Sequence, residues 1–190
     1  MGSDGLSLAI PAGHRYKFAS FRECVKFNLI DKIEQLGDER IVGVKYVSLA
    51  EEYLADHFPT FPVLPGVMMV EAAVQAAAWL MHYRTDFSRS MAVLKEARNV
   101  KYGRFVAPGE FLRMDVELLK PTAGGAAFKA SATVGGAQAV QMRLELAYFN
   151  LAERNPELSE TDARLIEHHR RRWGVLRAGN REAQLPAQSL

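Results

Sequence analysis

The sequence predicts an α+β fold in which a curved antiparallel sheet curls around one long central apolar helix. Three features carry that expectation. The run after Pro65, VMMVEAAVQAAAWLMHY, is rich in Ala, Met and Leu and has no internal Gly or Pro, which favours helix. Three later runs alternate apolar and polar residues with the period of half-buried strands. An earlier pair of β-rich runs flanks the turn-prone Gly37-Asp38. A sheet with one apolar face and a helix apolar nearly all round must bury those surfaces against each other.

Composition sets the limits. With 190 residues the chain fits one domain of ordinary size and buries a core without disulfides or structural metals. The single cysteine, Cys24, has no partner in the chain, which fits a reducing compartment and a small buried side chain. A net charge of +2 points away from a nucleic-acid binder. The longest apolar stretch, Val67 to Met81, is interrupted by Glu71 and Gln75 and is too short for a membrane span. Met1 to Gly13 lacks the basic and apolar regions of a secretion signal, so a soluble cytoplasmic protein is expected.

Along the chain, residues 1–17 are Gly-, Ser- and Pro-rich and expected to be loose; residues 18–150 form the folded domain; residues 151–190 form a C-terminal extension. From Val25, VKFNLIDKIEQL and RIVGVKYVSL read as a hairpin. LAEEYLADH reads as a short helical piece that ends at the Pro-rich HFPTFPVLPG. Pro65 sits where a first-turn proline is tolerated. In FLRMDVELL, AFKASATV and AVQMRLELAYF, the sets Leu112/Met114/Val116/Leu118, Phe128/Ala130/Ala132/Val134 and Val140/Met142/Leu144/Leu146/Tyr148 each share one face. Gly124-Gly125 and Gly135-Gly136 supply hairpin turns between them. SETDARLIEHHRRRWGVLR reads as a C-terminal helix with Ser159 and Asp162 in capping-box-like positions.

The apolar helix carries two polar residues, Glu71 and Gln75, one turn apart on one face. A carboxyl in apolar surroundings is costly to ionise, and an acid that keeps its proton can deliver it to a leaving group. Gln75 is spaced to hold Glu71 in orientation; a buried polar pair satisfied by backbone is the plainer alternative. His57 lies 14 residues before Glu71, and histidine is the natural base near neutral pH. Pro59, Pro62 and Pro65 stiffen the link between them. The Gly66 N–H, at the positive end of the helix dipole, suits an oxyanion. Base, acid and oxyanion donor together fit proton abstraction beside a carbonyl with loss of a β-substituent.

The run His57-Phe58-Pro59-Thr60-Phe61-Pro62-Val63-Leu64-Pro65-Gly66-Val67, followed by Glu71-Ala72 and Gln75, resembles the hot-dog-fold β-hydroxyacyl-[acyl carrier protein] dehydratases of the FabZ/FabA type. FNLIDKI and VKYGRFVAPGEFL also sit where that family has related segments. The resemblance implies a homodimer, or a larger assembly of dimers, with His57 of one subunit facing Glu71 of the other. It implies that the Val63 carbonyl orients His57 and the Gly66 N–H polarises a thioester carbonyl. It implies no metal and no cofactor. The implied substrate is a 3-hydroxyacyl chain on acyl carrier protein, the product a trans-2-enoyl thioester, and the setting fatty-acid or related lipid or polyketide synthesis. Phe61, Met68, Met69 and Phe105 suit the wall of an acyl tunnel and suit ordinary core equally well.

Three positions depart from the family's usual pattern. Thr60 stands where glycine is usual, and Gly103 and Phe105 replace an arginine and a proline. The resemblance also implies simple dehydration, since the related dehydratase–isomerases have aspartate where this sequence has Glu71. Two other readings keep the fold: a thioesterase in which Glu71 activates water, and an acyl-binding subunit without turnover. Six arginines between Arg164 and Arg181 suit either docking of an acidic carrier or a solvated helix face. His168 and His169 point about 100° apart on a helix, poor geometry for one metal ion.

Overall fold

The structure, a computed structural model, describes residues 27–178. The N-terminal segment 1–17, Cys24 and Arg181 lie outside the described residues. Among the described residues six strands form one sheet: β1 (Lys32–Leu36), β2 (Arg40–Tyr46), β3 (Met91–Tyr102), β4 (Phe111–Thr122), β5 (Gly125–Val134) and β6 (Ala137–Phe149). Their order across the sheet is β1-β2-β4-β5-β6-β3, and every neighbouring pair is antiparallel. Helix α1 (Gly66–Arg84) packs on the sheet, and helix α2 (Ser159–Ala178) closes the described chain.

The β4-β5-β6 meander follows the predicted alternation. Leu112, Met114 and Val116 of β4 face inward with Phe128, Ala130 and Ala132 of β5 and Val140, Met142, Leu144 and Leu146 of β6, all nearly inaccessible to solvent. Against them α1 turns Ala72, Ala73, Ala76, Ala77 and Leu80. The small alanines let the helix axis approach the sheet closely, so the backbone fills space that larger side chains would otherwise fill.

The first hairpin begins later than expected. Residues 27–31 are not strand, and the first ladder spans only Lys32–Leu36. The preceding backbone is diverted to α1: the Leu29 N–H donates to Gln75 Oε1 at 2.8 Å and the Phe27 carbonyl accepts from Gln75 Nε2 at 3.2 Å. LAEEYLADH shortens to a single 3-10 turn over Glu52–Leu54, where Leu54 is the buried anchor. Strand β3 was not legible in the sequence. It is an edge strand with two register irregularities and a left-handed Asn99, and its mixed exposure hides any period.

Helix α2 forms where predicted, but Asp162 does not cap it. Its buried carboxylate accepts from the Ser90 hydroxyl and from the backbone N–H groups of Leu151 (2.9 Å) and Ala152 (2.8 Å). The carboxylate thus ties the start of α2 to the chain before β3 and to the end of β6. Further along, the His169 imidazole makes a 3.0 Å hydrogen bond to the Ser90 carbonyl, and Leu176 joins the common core.

Candidate active site

The Pro-rich segment folds back on itself before α1. Phe58 and Phe61 exchange backbone hydrogen bonds, and the Val63 N–H donates to the His57 carbonyl at 3.0 Å. That loop brings His57 Nδ1 within 3.1 Å of the Val63 carbonyl oxygen. A carbonyl can only accept, so Nδ1 carries a proton, and in the neutral ring the lone pair lies on Nε2. The Phe58 ring stacks on the imidazole at 4.3 Å between centroids. Thr60 is exposed within this turn and its φ is not positive, so the loop does not need glycine there.

His57 borders a pocket of about 480 Å³ shared with Leu64, Gly66, Met69, Tyr102 and Phe105. Gly66 begins α1 at the pocket wall. A Cβ there would lie 2.9 Å from the Tyr102 ring, so glycine is what lets the ring lie against the helix start. Gly103 has a similar cause: its N–H donates to the Ala139 carbonyl at 2.7 Å, and a side chain would collide with the Gln138 carbonyl. Arg104, beside it, is paired with Glu110 at 2.6 Å.

Of the expected tunnel residues, Met69 and Phe105 line this pocket. Phe61 is exposed and meets Phe105 edge-on at 5.7 Å, and Met68 packs against the core. Tyr102, Leu64 and Arg104 were not singled out from the sequence. They arrive from the end of β3 and from the Pro-rich loop, and only their place in VKYGRFVAPGEFL and VLPG hinted at a role.

Glu71 lies on a different side of α1. Five positions separate it from Gly66, about 140° around the helix. Gln75 Nε2 donates to Glu71 Oε1 at 3.0 Å, and the Gln75 carbonyl oxygen is engaged by Leu29. The two side chains are therefore in direct contact across one helical turn. The full apolar enclosure expected for Glu71 is not completed by its own chain, where it is half-buried on a stripe that includes exposed Val67 and half-buried Val70 and Ala78. No hydrogen bond or ion pair joins His57 to Glu71 among the described residues, and Glu71 is not part of the wall of the His57 pocket.

A six-stranded antiparallel sheet wrapped on one helix defines the hot-dog class of folds. Among solved structures, the chain is similar to the dehydratase heterocomplex ApeI:P from Xenorhabdus doucetiae, with a TM-score of 0.56 at 19% identity over 70% of this chain and 90% of that one. It is also similar to a mutant thioesterase from Pseudomonas aeruginosa, with a TM-score of 0.51 at 18% identity over 63% and 81% of the two chains. Residues 23–143 match the family model for the FabA-like domain. The chain is 34% identical over 148 residues to a 3-hydroxyacyl-[acyl-carrier-protein] dehydratase FabZ of Solibacter usitatus, 77% of this chain and 86% of that protein. It is 34% identical to the protein of the same name from Clostridium perfringens, over 65% and 82% of the two chains. The chain belongs to the FabA-like dehydratase family.

Proposed function

We propose that this protein dehydrates a 3-hydroxyacyl thioester carried on acyl carrier protein, giving the trans-2-enoyl thioester for fatty-acid or related lipid or polyketide synthesis. The observation that carries the reading is the anchored histidine. His57, its proton fixed on Nδ1 by Val63, presents a basic Nε2 at a pocket that also holds the N-terminal glycine of α1.

In the reaction, His57 Nε2 removes a proton from the substrate Cα, and the electron pair forms the Cα–Cβ double bond. The Glu71 carboxyl protonates the β-hydroxyl, which leaves as water. The Gly66 N–H and the helix dipole stabilise charge on the thioester oxygen as the Cα–H bond breaks. Both catalytic groups return to their starting states by proton exchange with water. Hydrolysis of the thioester would need Glu71 and water but gives no work to the anchored His57.

The half-buried Glu71 and the exposed stripe on α1 support a homodimer in which the partner subunit covers that face. Each site then combines His57 of one chain with Glu71 of the other. The test is conversion of a 3-hydroxybutyryl thioester on acyl carrier protein by wild type, His57→Ala and Glu71→Gln. We expect each variant to lose at least about a hundredfold in kcat, the usual worth of a positioned acid or base. Unchanged turnover in either variant removes that residue from its role.

A further inference from the structure

A second hollow lies on the other side of α1 from His57, between that helix, the start of β3 and helix α2. Gln75, Ala78 and Trp79 of α1, Ala92 of β3, and His169 and Arg172 of α2 contribute to its wall. At about 250 Å³ it is smaller than the roughly 300–1,000 Å³ that holds a whole drug-sized ligand. It has room for the end of a molecule.

Two observations say which molecule. Gln75, whose amide lines the hollow, is the residue that hydrogen-bonds Glu71 at 3.0 Å. The hollow therefore begins one helical turn beyond the proposed acid, on the side away from the start of α1. The next carbons of a chain whose β-carbon sits at Glu71 need to run only one helical turn, to Gln75, to enter it. The wall there is apolar at Ala78, Ala92 and the Trp79 ring, as an alkyl chain requires.

The far wall is different. Arg164, Arg170 and Arg171 on the same helix pair with Glu160, Asp86 and Glu167. Arg172 pairs with no carboxylate among the described residues, and its Nε is buried without a hydrogen-bond partner. A guanidinium keeps its charge at any physiological pH and presents a planar fork matched to a carboxylate. A buried donor left unmade is costly, so this group is poised for an acceptor that the chain itself does not provide. Burial holds His82 and His169 below the ordinary histidine pKa, and His168 completes the imidazoles of this wall.

We propose that this hollow receives the distal end of the substrate's acyl chain and selects chains that end in a carboxylate, bound by Arg172. The proposal rests on the dehydratase reading above and goes beyond it by assigning the substrate class.

The test compares two thioesters on acyl carrier protein, 3-hydroxyoctanoyl ending in methyl and its counterpart of equal length ending in carboxylate. Wild type and Arg172→Met are assayed for enoyl product, and the ratio of the two kcat/KM values is the readout. We expect wild type to favour the carboxylate-ended chain, and Arg172→Met to lower that ratio by about tenfold or more, the worth of a charge-assisted hydrogen bond. Arg172→Lys, which keeps the charge but not the fork, should recover part of it. An identical ratio in wild type and Arg172→Met overturns the proposal. Turnover of 3-hydroxybutyryl thioester, too short to reach Arg172, is measured on wild type in parallel. Turnover there with an unaltered ratio overturns the distal site alone. No enoyl product from any thioester overturns both readings.

Discussion

Gln75 uses three hydrogen-bonding positions of one amide for three different purposes. Its oxygen accepts from Leu29 and so pulls the entering chain onto α1; its nitrogen donates to the Phe27 carbonyl and to Glu71. Removing the amide therefore unmakes two backbone contacts and frees the proposed acid together. Gln75→Leu should lower stability by about 2 kcal/mol, because the Leu29 N–H loses its partner in a partly buried setting. It should also lower kcat more than it raises KM, since an unheld carboxyl spends less time aimed at the leaving group. Denaturant unfolding and steady-state kinetics check the two halves; a variant with wild-type values for both would leave Gln75 a bystander. At this scale spacing made the Glu71–Gln75 contact legible, one helical turn apart, whereas the Val63 contact with His57 was expected only from the family resemblance. Tyr102 and Arg104 come from another strand, and no local spacing ties them to that loop.

Helix α2 is held by a cluster of rings and imidazoles. His82 contacts His169 at 4.4 Å and stacks on Phe87 at 5.7 Å, while Trp79 meets Trp173 at 5.8 Å and His169 at 5.9 Å. Burial first, and then the neighbouring His169, push the His82 pKa down to about 3. Burial also lowers His169, against the raising effect of its bond to the Ser90 carbonyl. Both groups are therefore more easily protonated in the unfolded chain than in the folded one. Their contribution is complete above the unfolded value near 6.5 and is lost as pH falls from there toward 3. Asp162 adds to the same trend only at lower pH. Burial opposes its ionisation, but its hydrogen bonds to Ser90, Ala152 and Leu151 outweigh that and hold it below the ordinary aspartate value. Between pH 7 and 5 the histidines dominate, and we expect a stability loss on the order of 2 kcal/mol. His82→Phe should flatten the melting-temperature profile over that range; a profile as steep as wild type would place the acid sensitivity elsewhere. The periodicity of β4, β5 and β6 and the composition of α1 made those elements legible, since each has one face in the core. Edge strand β3 has no such face, and the use of Asp162 depends on Ser90, 72 residues away.

A protomer taken alone leaves Glu71 half-buried on a partly apolar helix face that includes exposed Val67, with exposed Phe58, Phe61 and Phe105 on the Pro-rich loop and the segment after β3. Apolar surface of that extent is ordinarily covered, and a two-fold dimer would cover it with the same surface of a second copy. The arrangement has a consequence that a self-contained site does not share. In a mixed dimer of His57→Ala with Glu71→Gln, one site contains both substitutions and the other has an intact His57 facing an intact Glu71. Co-refolding equal amounts of the two inactive variants should therefore restore about a quarter of wild-type activity, because half of the randomly formed dimers are mixed and each has one working site. If both groups acted within one chain, every chain in the mixture would lack one of them and no activity would return. The mixture separates these outcomes without disturbing the interface, since neither substitution adds bulk to the helix face. Restored activity should be lost again when Val67→Glu is added to both variants, as the charge falls on the exposed face of α1 where the partner is expected to pack.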